Sequence, residues 1–505
     1  MFDLGRNFVA SVERCPDQIA IVDGDLRLTY AQWFERVRSV AGGLHNLGLR
    51  HGDHLLTILQ NSWEMATLHW ACQFLGVVTT PLNWRAKALE IDYCAANSQA
   101  AMVVFEEVSA QAVSESAAAR RLPRISVLSA PGGTVSFESL LQAGPMPRLL
   151  NANASDWSLM LFTSGTTGKP KGVPRRHCHE RAAAMAHVAQ NLYRRGERTL
   201  GVMPLYHTMG VRSLLSMTLV NGRFVCIRKF DAAKILAAIA AERITNLYLV
   251  PTLYHDMIAH PDFSRTDISS VRKLGFAGAS MNEGLLKRLD AIFKPDLFVN
   301  HYGSSEVYTC TIEPYASRKP GSAGKSGISQ RIRVVRLDAR TGDDLAEVGE
   351  EGQIIADLHG DEAFEGYWNR PDADANCLVG DWYFTGDLGY FDDGGDLFVT
   401  GRLDDMIISG GENISPTDIE SLLSLHPAVD EVAVVGLPDE RWGQRVTAFV
   451  TLKGATDAQT LDKYCRESSL PGFKRPREYI FVKVIPKSPV GKILRRKIIA
   501  GEYEK

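Results

Sequence analysis

The sequence has little that would direct the chain to a membrane, a nucleic acid or an export pathway. None of its apolar runs reaches the roughly 18 residues that a membrane-spanning helix needs. The formal net charge is −3, so there is no general attraction to nucleic acid or to an anionic lipid surface. The first residues, Met1 to Arg6, lack the basic and apolar segments of a signal peptide. We therefore expect a cytoplasmic location, no membrane span and no nucleic-acid partner.

Cysteine is also scarce. The 505 residues include eight cysteines, at positions 15, 72, 94, 178, 226, 310, 377 and 465, and no CxxC pair occurs. This scatter predicts reduced, mostly structural thiols. The 45% hydrophobic and 23% charged content is typical of a globular protein. The length exceeds what one hydrophobic core usually supports, which predicts at least two domains.

One stretch carries a clear chemical pattern. Four apolar residues, 159–162, predict the end of a buried strand, and residues 163–172 follow with four hydroxyls, three glycines and two lysines. Such a loop can turn N–H groups and hydroxyls inward beside ammonium groups, which makes a cradle for polyphosphate. It is not a Walker A loop, because only two residues separate Gly165 from Gly168 and Pro170 replaces the Ser or Thr. An ordinary surface loop is the alternative.

Strand and helix patterns alternate around this loop. Thr29 and Gln32 have the spacing of a capping box, and Gly48 is placed to end the helix that they open. A strand over 53–59 and a helix over 63–74 follow, and this alternation predicts parallel α/β layers. Farther on, the patterns predict helices over 181–192 and 235–243 and strands over 246–251, 273–277 and 480–484.

The motif at residues 163–172, Thr-Ser-Gly-Thr-Thr-Gly-Lys-Pro-Lys-Gly, resembles the signature of the adenylate-forming enzymes. These include acyl-CoA synthetases, firefly luciferase and the adenylation domains of peptide synthetases. The resemblance extends over nearly the whole chain and is greatest to aryl- and acyl-CoA ligases of the 4-chlorobenzoate–CoA ligase type. It implies a large N-terminal domain of layered β-sheets and helices over 1–403. A smaller, mobile α+β domain over 404–505 would turn about a hinge at Asp404.

The resemblance also implies the site residues. Lys492, Glu306, Thr163 and His207 would be catalytic, and Glu306 and Thr166 would hold Mg²⁺. The expected ATP contacts are Thr163, Ser164, Gly165, Thr166, Thr167, Gly168, Lys169, Lys171, Gly278, Ala279, Ser280, His301, Tyr302, Gly303, Ser304, Ser305, Asp387 and Arg402. The expected CoA contacts are Arg85, Gly410, Gly411, Trp442, Phe473 and Arg475.

For the acid, the resemblance implies a pocket lined by Ala184, His207, Met209, Leu249, Gly278, Tyr302 and Gly303. Counted without gaps, Ala184 and Leu249 replace bulky aromatic residues, which predicts a wider pocket. Arg212, five residues after His207, could pair with a second carboxylate on the acid, or it could be a solvated or structural arginine.

The function implied is that of an ATP-dependent acid–CoA ligase that works through an acyl-AMP intermediate, with ATP, Mg²⁺ and coenzyme A, on an aryl or similarly compact acid. A medium-chain, alicyclic or dicarboxylic acid stays open, as does an adenylation enzyme that loads a separate carrier protein. A luciferase-like oxygenase shares the same motifs. Retention of Lys492, Glu306, Asp387 and Arg402 together argues against a non-catalytic binding protein. A homodimer is an open alternative.

Overall fold

The computed structural model describes residues 2–128, 130–146, 152–163, 169–487 and 493–504. The strands, numbered in chain order, are β1 (Ile19–Asp23), β2 (Leu26–Thr29), β3 (His54–Ile58), β4 (Val78–Pro81), β5 (Ala100–Phe105), β6 (Arg124–Ser126), β7 (Val135–Ser136), β8 (Trp157–Thr163), β9 (Lys171–Arg176), β10 (Arg198–Gly201), β11 (Arg223–Cys226), β12 (Asn246–Leu249), β13 (Lys273–Ala277), β14 (Leu297–Tyr302), β15 (Thr311–Glu313), β16 (Ser322–Ser326), β17 (Ile332–Val335), β18 (Gly352–Asp357), β19 (Leu378–Val379), β20 (Trp382–Phe391), β21 (Leu397–Arg402), β22 (Ile407–Ser409), β23 (Glu412–Ile414), β24 (Val429–Asp439), β25 (Gly443–Leu452) and β26 (Glu478–Phe481).

The helices are α1 (Leu4–Arg14), α2 (Tyr30–Asn46), α3 (Trp63–Leu75), α4 (Ala88–Ser98), α5 (Glu107–Glu115), α6 (Phe137–Leu141), α7 (His177–Gln190), α8 (Thr208–Leu219), α9 (Ala232–Glu242), α10 (Pro251–Ala259), α11 (Glu283–Phe293), α12 (Pro371–Asp374), α13 (Pro416–Leu423), α14 (Ala458–Arg466) and α15 (Arg495–Ile499).

The first large sheet places the tip of one hairpin at the predicted phosphate loop. Its strand order is β7-β6-β5-β3-β4-β8-β9, and its neighbours are parallel except for β8 and β9. The antiparallel β8–β9 pair runs to Thr163 opposite Lys171. The predicted phosphate loop therefore starts at the end of β8, the buried strand that the sequence predicts, and its last residues, Lys171 and Gly172, begin β9.

The second large sheet brings several motifs to one edge. Its order is β17-β18-β20-β21-β16-β15-β14-β13-β12-β10-β11-β1-β2, with β19 paired to β20. Strands β10, β12, β13 and β14 are parallel, so their carboxyl ends lie at the same edge. The segments after these ends begin at residues 202, 250, 278 and 303, and ligands of α/β sheets commonly bind at such an edge.

The N-terminal core fills the space between these layers. Helix α3 is buried on every face, and α2 and α1 pack beside it. Helix α2 begins with the predicted capping box: Thr29 accepts from the Gln32 backbone, and the Gln32 side chain accepts from the Thr29 backbone. Although α3 carries the buried polar residues Glu64, His69 and Gln73, it places Trp70 and Phe74 in the core.

The C-terminal part has its own small sheet and core. Strands β23-β22-β25-β24, with β26 beside β25, form a five-stranded sheet. Ile419 and Leu423 of α13 pack against Val434 and Val450 of this sheet. The predicted boundary at 403/404 falls inside a 3₁₀ turn, Leu403–Asp405. The division into 1–403 and 404–505 stays a prediction.

Some predicted bounds are wrong while the predicted element types are right. The helix predicted over 181–192 is α7, which begins at His177. Pro251, predicted to close a strand, is the first residue of α10, a position that suits proline because its missing N–H has no helical partner there. All eight cysteines are free thiols. Among the described residues, no helix is long and apolar enough to cross a membrane.

Candidate active site

Three of the predicted nucleotide contacts lie close together on β14, β20 and β21 of the second large sheet. Tyr302, at the end of β14, donates a hydrogen bond from its hydroxyl to Asp387 Oδ2 over 2.7 Å. The other carboxylate oxygen of Asp387 lies 3.4 Å from Arg402 Nε. Although burial opposes the charge, Asp387 together with Asp404 and Asp405 raises the pKa of the Arg402 guanidinium. An aromatic ring, a carboxylate and a guanidinium therefore stand together, as a base, a ribose diol and a phosphate would require.

A second group joins Glu306 to the base of the predicted phosphate loop. Glu306 is buried, and its Oε1 accepts a hydrogen bond from the Tyr367 hydroxyl over 2.7 Å. The ammonium of Lys171 lies 4.4 Å from the centre of the Tyr367 ring. Thr163 Oγ1 is 3.5 Å from the Lys171 carbonyl. This arrangement places a carboxylate and an ammonium beside the two ends of the loop.

Several predicted residues lie outside the described part of the chain. They are Lys492 and the loop residues Ser164, Gly165, Thr166, Thr167 and Gly168. Lys169 is described, and it lies exposed with its ammonium 6.0 Å from the Tyr93 ring. The roles predicted for all of these residues remain predictions.

Two glycines shape the edge where the acid and the nucleotide would meet. Gly278 follows β13 with φ of +83°, a conformation that other residues rarely adopt, and Ala279 and Ser280 after it are exposed. At Gly303, an added Cβ would stand 2.2 Å from the Tyr308 carbonyl oxygen. Ser304 and Ser305 continue this turn, and Ser305 Oγ is 3.3 Å from Thr208 Oγ1 at the start of α8.

An apolar wall continues from this edge, and it corrects two predicted acid contacts. Met209 packs in one cluster with Tyr248, Val250 and Ala277. Leu249 points to the opposite face of β12, among the side chains of α9 to α11, because successive strand residues alternate between faces. The prediction that Leu249 lines this wall is therefore wrong, and the preceding residue, Tyr248, belongs to the wall.

The prediction for Ala184 is wrong as well. Ala184 packs in the N-terminal core and lines a small cavity with Leu4, Trp70 and Leu215. It does not belong to the cluster of Met209 and Tyr248. The wider pocket inferred from Ala184 and Leu249 loses its basis, because Tyr248 supplies an aromatic ring to the wall.

Behind Tyr248 lies a buried pair of histidines that the sequence analysis did not join. The His187 and His301 rings are 4.8 and 5.1 Å from the Tyr248 ring and 5.1 Å from each other. Asn191 approaches both rings, with Oδ1 3.2 Å from His301 Nε2 and Nδ2 3.1 Å from His187 Nδ1. Burial lowers the pKa of both histidines well below the usual value, so both rings are neutral.

The same interior holds two arginines and two carboxylates. Arg175 Nε donates to Glu180 over 3.0 Å, and all of these side chains are shielded from solvent. Arg212, on α8, is 1% exposed, so the solvated alternative for it is wrong. Its guanidinium carbon lies 5.2 Å from the Tyr308 ring centre. Glu362, the second of the two carboxylates, is also 1% exposed.

His207, the remaining predicted pocket residue, is the N-cap of α8, and its ring centre lies 4.8 Å from that of Tyr206. Strand alternation over 246–250 was a signal that could have selected Tyr248 in place of Leu249. Nothing in the local sequence connects His187, Glu362 and Arg175, because the fold assembles them from α7, the segment after β18, and β9.

The predicted CoA residues form separate groups in this conformation. Gly410 donates its N–H to the Trp442 carbonyl over 2.9 Å. Arg475 pairs with Asp462 at 2.9 Å, and Phe473 is exposed. Arg85 stacks on Trp84 at 3.6 Å. Gly411, like Gly410, has positive φ in the turn between β22 and β23. Within the described residues, no hydrogen bond or ion pair joins Arg85 to the others.

Sequence and structure comparisons define the class of protein. The AMP-binding enzyme family matches residues 8–368, and the AMP-binding enzyme C-terminal domain matches residues 418–492. The 4-chlorobenzoate–CoA ligase of an Arthrobacter species is 32% identical over 491 residues, 96% of this chain and 92% of that protein. A long-chain-fatty-acid–CoA ligase of Mycobacterium tuberculosis is 33% identical over 479 residues, 93% of this chain and 92% of that protein.

A solved structure agrees with these matches. The O-succinylbenzoate coenzyme A synthetase from Bacillus subtilis, in complex with ATP and a magnesium ion, superposes with a TM-score of 0.85 at 26% identity, over 97% of this chain and 98% of that one. The chain belongs to the AMP-binding enzyme family. It is an ATP-dependent, AMP-forming acyl-CoA ligase, a class that uses ATP, Mg²⁺ and coenzyme A. The resemblance, the α/β fold and the reaction type predicted from the motifs are confirmed.

Proposed function

We propose that this ligase activates a compact, ring-bearing carboxylic acid. The names of the relatives do not select an acid, because they range from a chlorobenzoate to a long-chain fatty acid. The observation that carries the proposal is the aromatic wall of Tyr248, His187 and His301 behind Met209 and Ala277. Aromatic rings in contact with one another favour another ring beside them, and the rings of this wall supply such a contact.

In the first half-reaction, the acid carboxylate attacks the α-phosphorus of ATP and expels pyrophosphate. This step needs in-line positioning and neutralisation of charge. Lys492 would bridge the carboxylate and the α-phosphate, while Thr163, Lys171 and the loop between them hold the leaving phosphates. Asp387 would accept hydrogen bonds from the ribose, with Tyr302 against the base and Arg402 beside the phosphate or ribose.

The carboxylate of Glu306 fits a magnesium site. Mg²⁺ is commonly held by one or two carboxylates together with substrate phosphates, and Glu306 stands beside the loop that would bind those phosphates. Bound there, the ion would supply positive charge to the phosphate oxygens. Thr166 remains the second proposed ligand.

In the second half-reaction, the coenzyme A thiol attacks the acyl-AMP and expels AMP. We assign Arg85, Trp442, Phe473 and Arg475 to the CoA nucleotide, since aromatic faces suit adenine and cations suit phosphates. Their separation in this conformation agrees with a turn of the C-terminal part about Asp404 between the two steps. Gly410 and Gly411 would then approach the pantetheine. A cytoplasmic location and a homodimer stay proposals.

A panel of acids tests the proposal. Benzoate-sized acids and fatty acids of increasing length would be assayed for pyrophosphate release and for CoA-thioester formation. We expect the compact aryl acids to give the highest kcat/KM, and preference for long-chain acids would overturn the proposal. Pyrophosphate release without thioester would identify a carrier protein as the acceptor.

The Lys492→Ala variant tests the reaction assignment in the same assay. Adenylation should fall by at least about a hundredfold, because the removed charge acts only in that step, while conversion of supplied acyl-AMP to thioester is largely retained. Lys497→Ala, on the same basic segment and paired with Glu502 at the surface, is the matched control. Equal loss in both half-reactions of Lys492→Ala would contradict the role given to Lys492.

A further inference from the structure

One buried cation in the interior has no described partner for most of its guanidinium. Arg212 is 1% exposed, and neither its Nε nor its Nη1 has a hydrogen-bond partner among the described residues. Buried N–H groups are nearly always paired, and leaving a charged one unpaired is costly. Such a residue in an enzyme interior needs a further partner, which is either bound water or a ligand.

The groups around Arg212 include only one carboxylate, among the described residues, that is not already in an ion pair. The charge of Arg212 adds to burial in lowering the pKa values of His187 and His301, so both rings face it as neutral groups. Arg175 is already paired with Glu180. Glu362 is the remaining carboxylate, with the Thr309 hydroxyl beside it. Burial raises the pKa of the Glu362 carboxyl, which favours its neutral form. Arg212, Thr309 and Arg175 act in the opposite direction.

Arg212 also lies in the direction in which an acid would extend. His207 caps α8 at the edge that carries Gly278 and Gly303, and Met209 lines the apolar wall. Arg212 is three residues beyond Met209, on the same face of the helix. From His207 to Arg212 the chain advances five residues, roughly 7.5 Å along the helix axis. This distance is similar to the length of one aromatic ring with a substituent.

From this arrangement we infer that Arg212 recognises a second carboxylate at the far end of the acid, so that the preferred substrate is a compact dicarboxylic acid. The inference rests on the proposed function and narrows it. The reacting carboxylate stays at the Gly278–Gly303 edge. The second carboxylate accepts hydrogen bonds from the Arg212 guanidinium, whose planar fork suits a carboxylate. Tyr248, His187 and His301 contact the carbon frame between the two groups.

The competing explanation is a structural water network that bridges Arg212 and Glu362. Buried waters commonly satisfy such groups. The two explanations differ in what they predict for substrate choice, because a permanent water network gives a second carboxylate no advantage. Selectivity between acids that share one carbon frame therefore separates them.

The test compares benzoate with phthalate, isophthalate and terephthalate by pyrophosphate release. For the wild-type enzyme, kcat/KM for one of the diacids should exceed that for benzoate by at least about tenfold, since a site built for a charged group rejects an analogue that lacks it. Arg212→Met should lower this diacid-to-benzoate ratio at least about a hundredfold. Arg212→Lys keeps the charge but not the fork, so it should lower the ratio by a smaller factor. Arg181→Met, on the neighbouring helix, is the matched control, and its ratio should equal that of the wild type.

A second measurement uses the wild-type enzyme, so that the test does not depend on whether Arg212→Met folds. The thermal midpoint of the wild-type enzyme should rise more with the preferred diacid than with benzoate at equal concentration. Activation of benzoate with no diacid preferred, or an unchanged ratio in folded Arg212→Met, would overturn the inference and leave the compact-acid proposal standing. Use of long-chain acids alone would overturn both. Because pyrophosphate is the readout, the result does not depend on the thiol acceptor.

Discussion

Two buried arginines lie near the ring of one tyrosine, and they differ in how the fold uses their side chains. The guanidinium carbons of Arg175 and Arg212 lie 4.1 and 5.2 Å from the centre of the Tyr308 ring. Both side chains are essentially inaccessible to solvent. Arg175 follows the phosphate loop on β9, whereas Arg212 lies inside α8.

The hydrogen bonds separate the two residues. Arg175 donates from Nε to Glu180 over 3.0 Å and from Nη1 to the Glu306 carbonyl over 3.2 Å, which leaves only Nη2 without a described partner. It therefore links β9 to α7 and to the segment that carries Glu306. Arg212 makes no such link through Nε or Nη1 in the described part of the chain. Burial alone thus does not reveal the role of an arginine. The role follows from which of its donors the fold already uses.

The largest effect that this comparison predicts is loss of stability in Arg175→Met. The change leaves the Glu180 carboxylate buried without its partner, and breaking a buried ion pair costs about 3–5 kcal/mol. The free energy of unfolding from urea titration should fall by that amount. In the Arg175→Met/Glu180→Leu double variant, which removes both charges, most of the stability should return. A single variant as stable as the wild type would show that Arg175 is not a structural link.

The sequence was sufficient for the features that rest on local pattern. The buried strand before the phosphate loop, the capping box at Thr29 and Gln32, and the α/β layers are all present. Tyr302 and Glu306, which the sequence motif selected, form hydrogen bonds with Asp387 and Tyr367 respectively. Such features depend on residues that are close in the chain, or on a motif that implies its own structural surroundings.

The wall of the acid pocket was not predictable in the same way. Its members come from α7, α8, β12, β13 and β14, so their meeting depends on how the layers pack. An ungapped count over such a distance is fragile, because a shift of one residue in a strand moves a side chain to the other face. That shift is the error at Leu249. The unused donors of Arg212 are likewise invisible in sequence, which shows the residue but not its partners.

The second prediction concerns the pH dependence of the diacid-to-benzoate ratio. Four groups face the Glu362 carboxyl, namely Arg212 of α8, Arg175 of β9, Glu180 of α7 and Thr309 after β14. Burial raises the pKa of this carboxyl. Below that pKa Glu362 is neutral and the charge of Arg212 is free to bind a second carboxylate. As the pH rises through the raised pKa, Glu362 ionises and competes, so the ratio should fall by about tenfold, or about 1.4 kcal/mol.

Glu362→Gln should keep the ratio high and independent of pH over the same interval. The matched control is Glu365→Gln, three residues along the chain, because Glu365 is half-exposed and pairs with Arg176. It should retain the wild-type pH profile. An identical fall of the ratio in Glu362→Gln would mean that another group, such as the second carboxylate of the substrate, is responsible.

The smallest effect is expected for the stability of Arg212→Met, measured without substrates. Methionine keeps the length of the apolar stem, and the guanidinium that it removes contributes unpaired buried donors, which oppose folding. Loss of the buried contact with Tyr308 costs about 2 kcal/mol, and relief from the unpaired donors offsets it by about 1–3 kcal/mol, so the free energy of unfolding should change by less than about 1 kcal/mol. The same urea titration as for Arg175→Met gives the direct comparison. A loss as large as that of Arg175→Met would mean that Arg212 is held by partners in the folded enzyme, and its guanidinium would then be a structural link like that of Arg175.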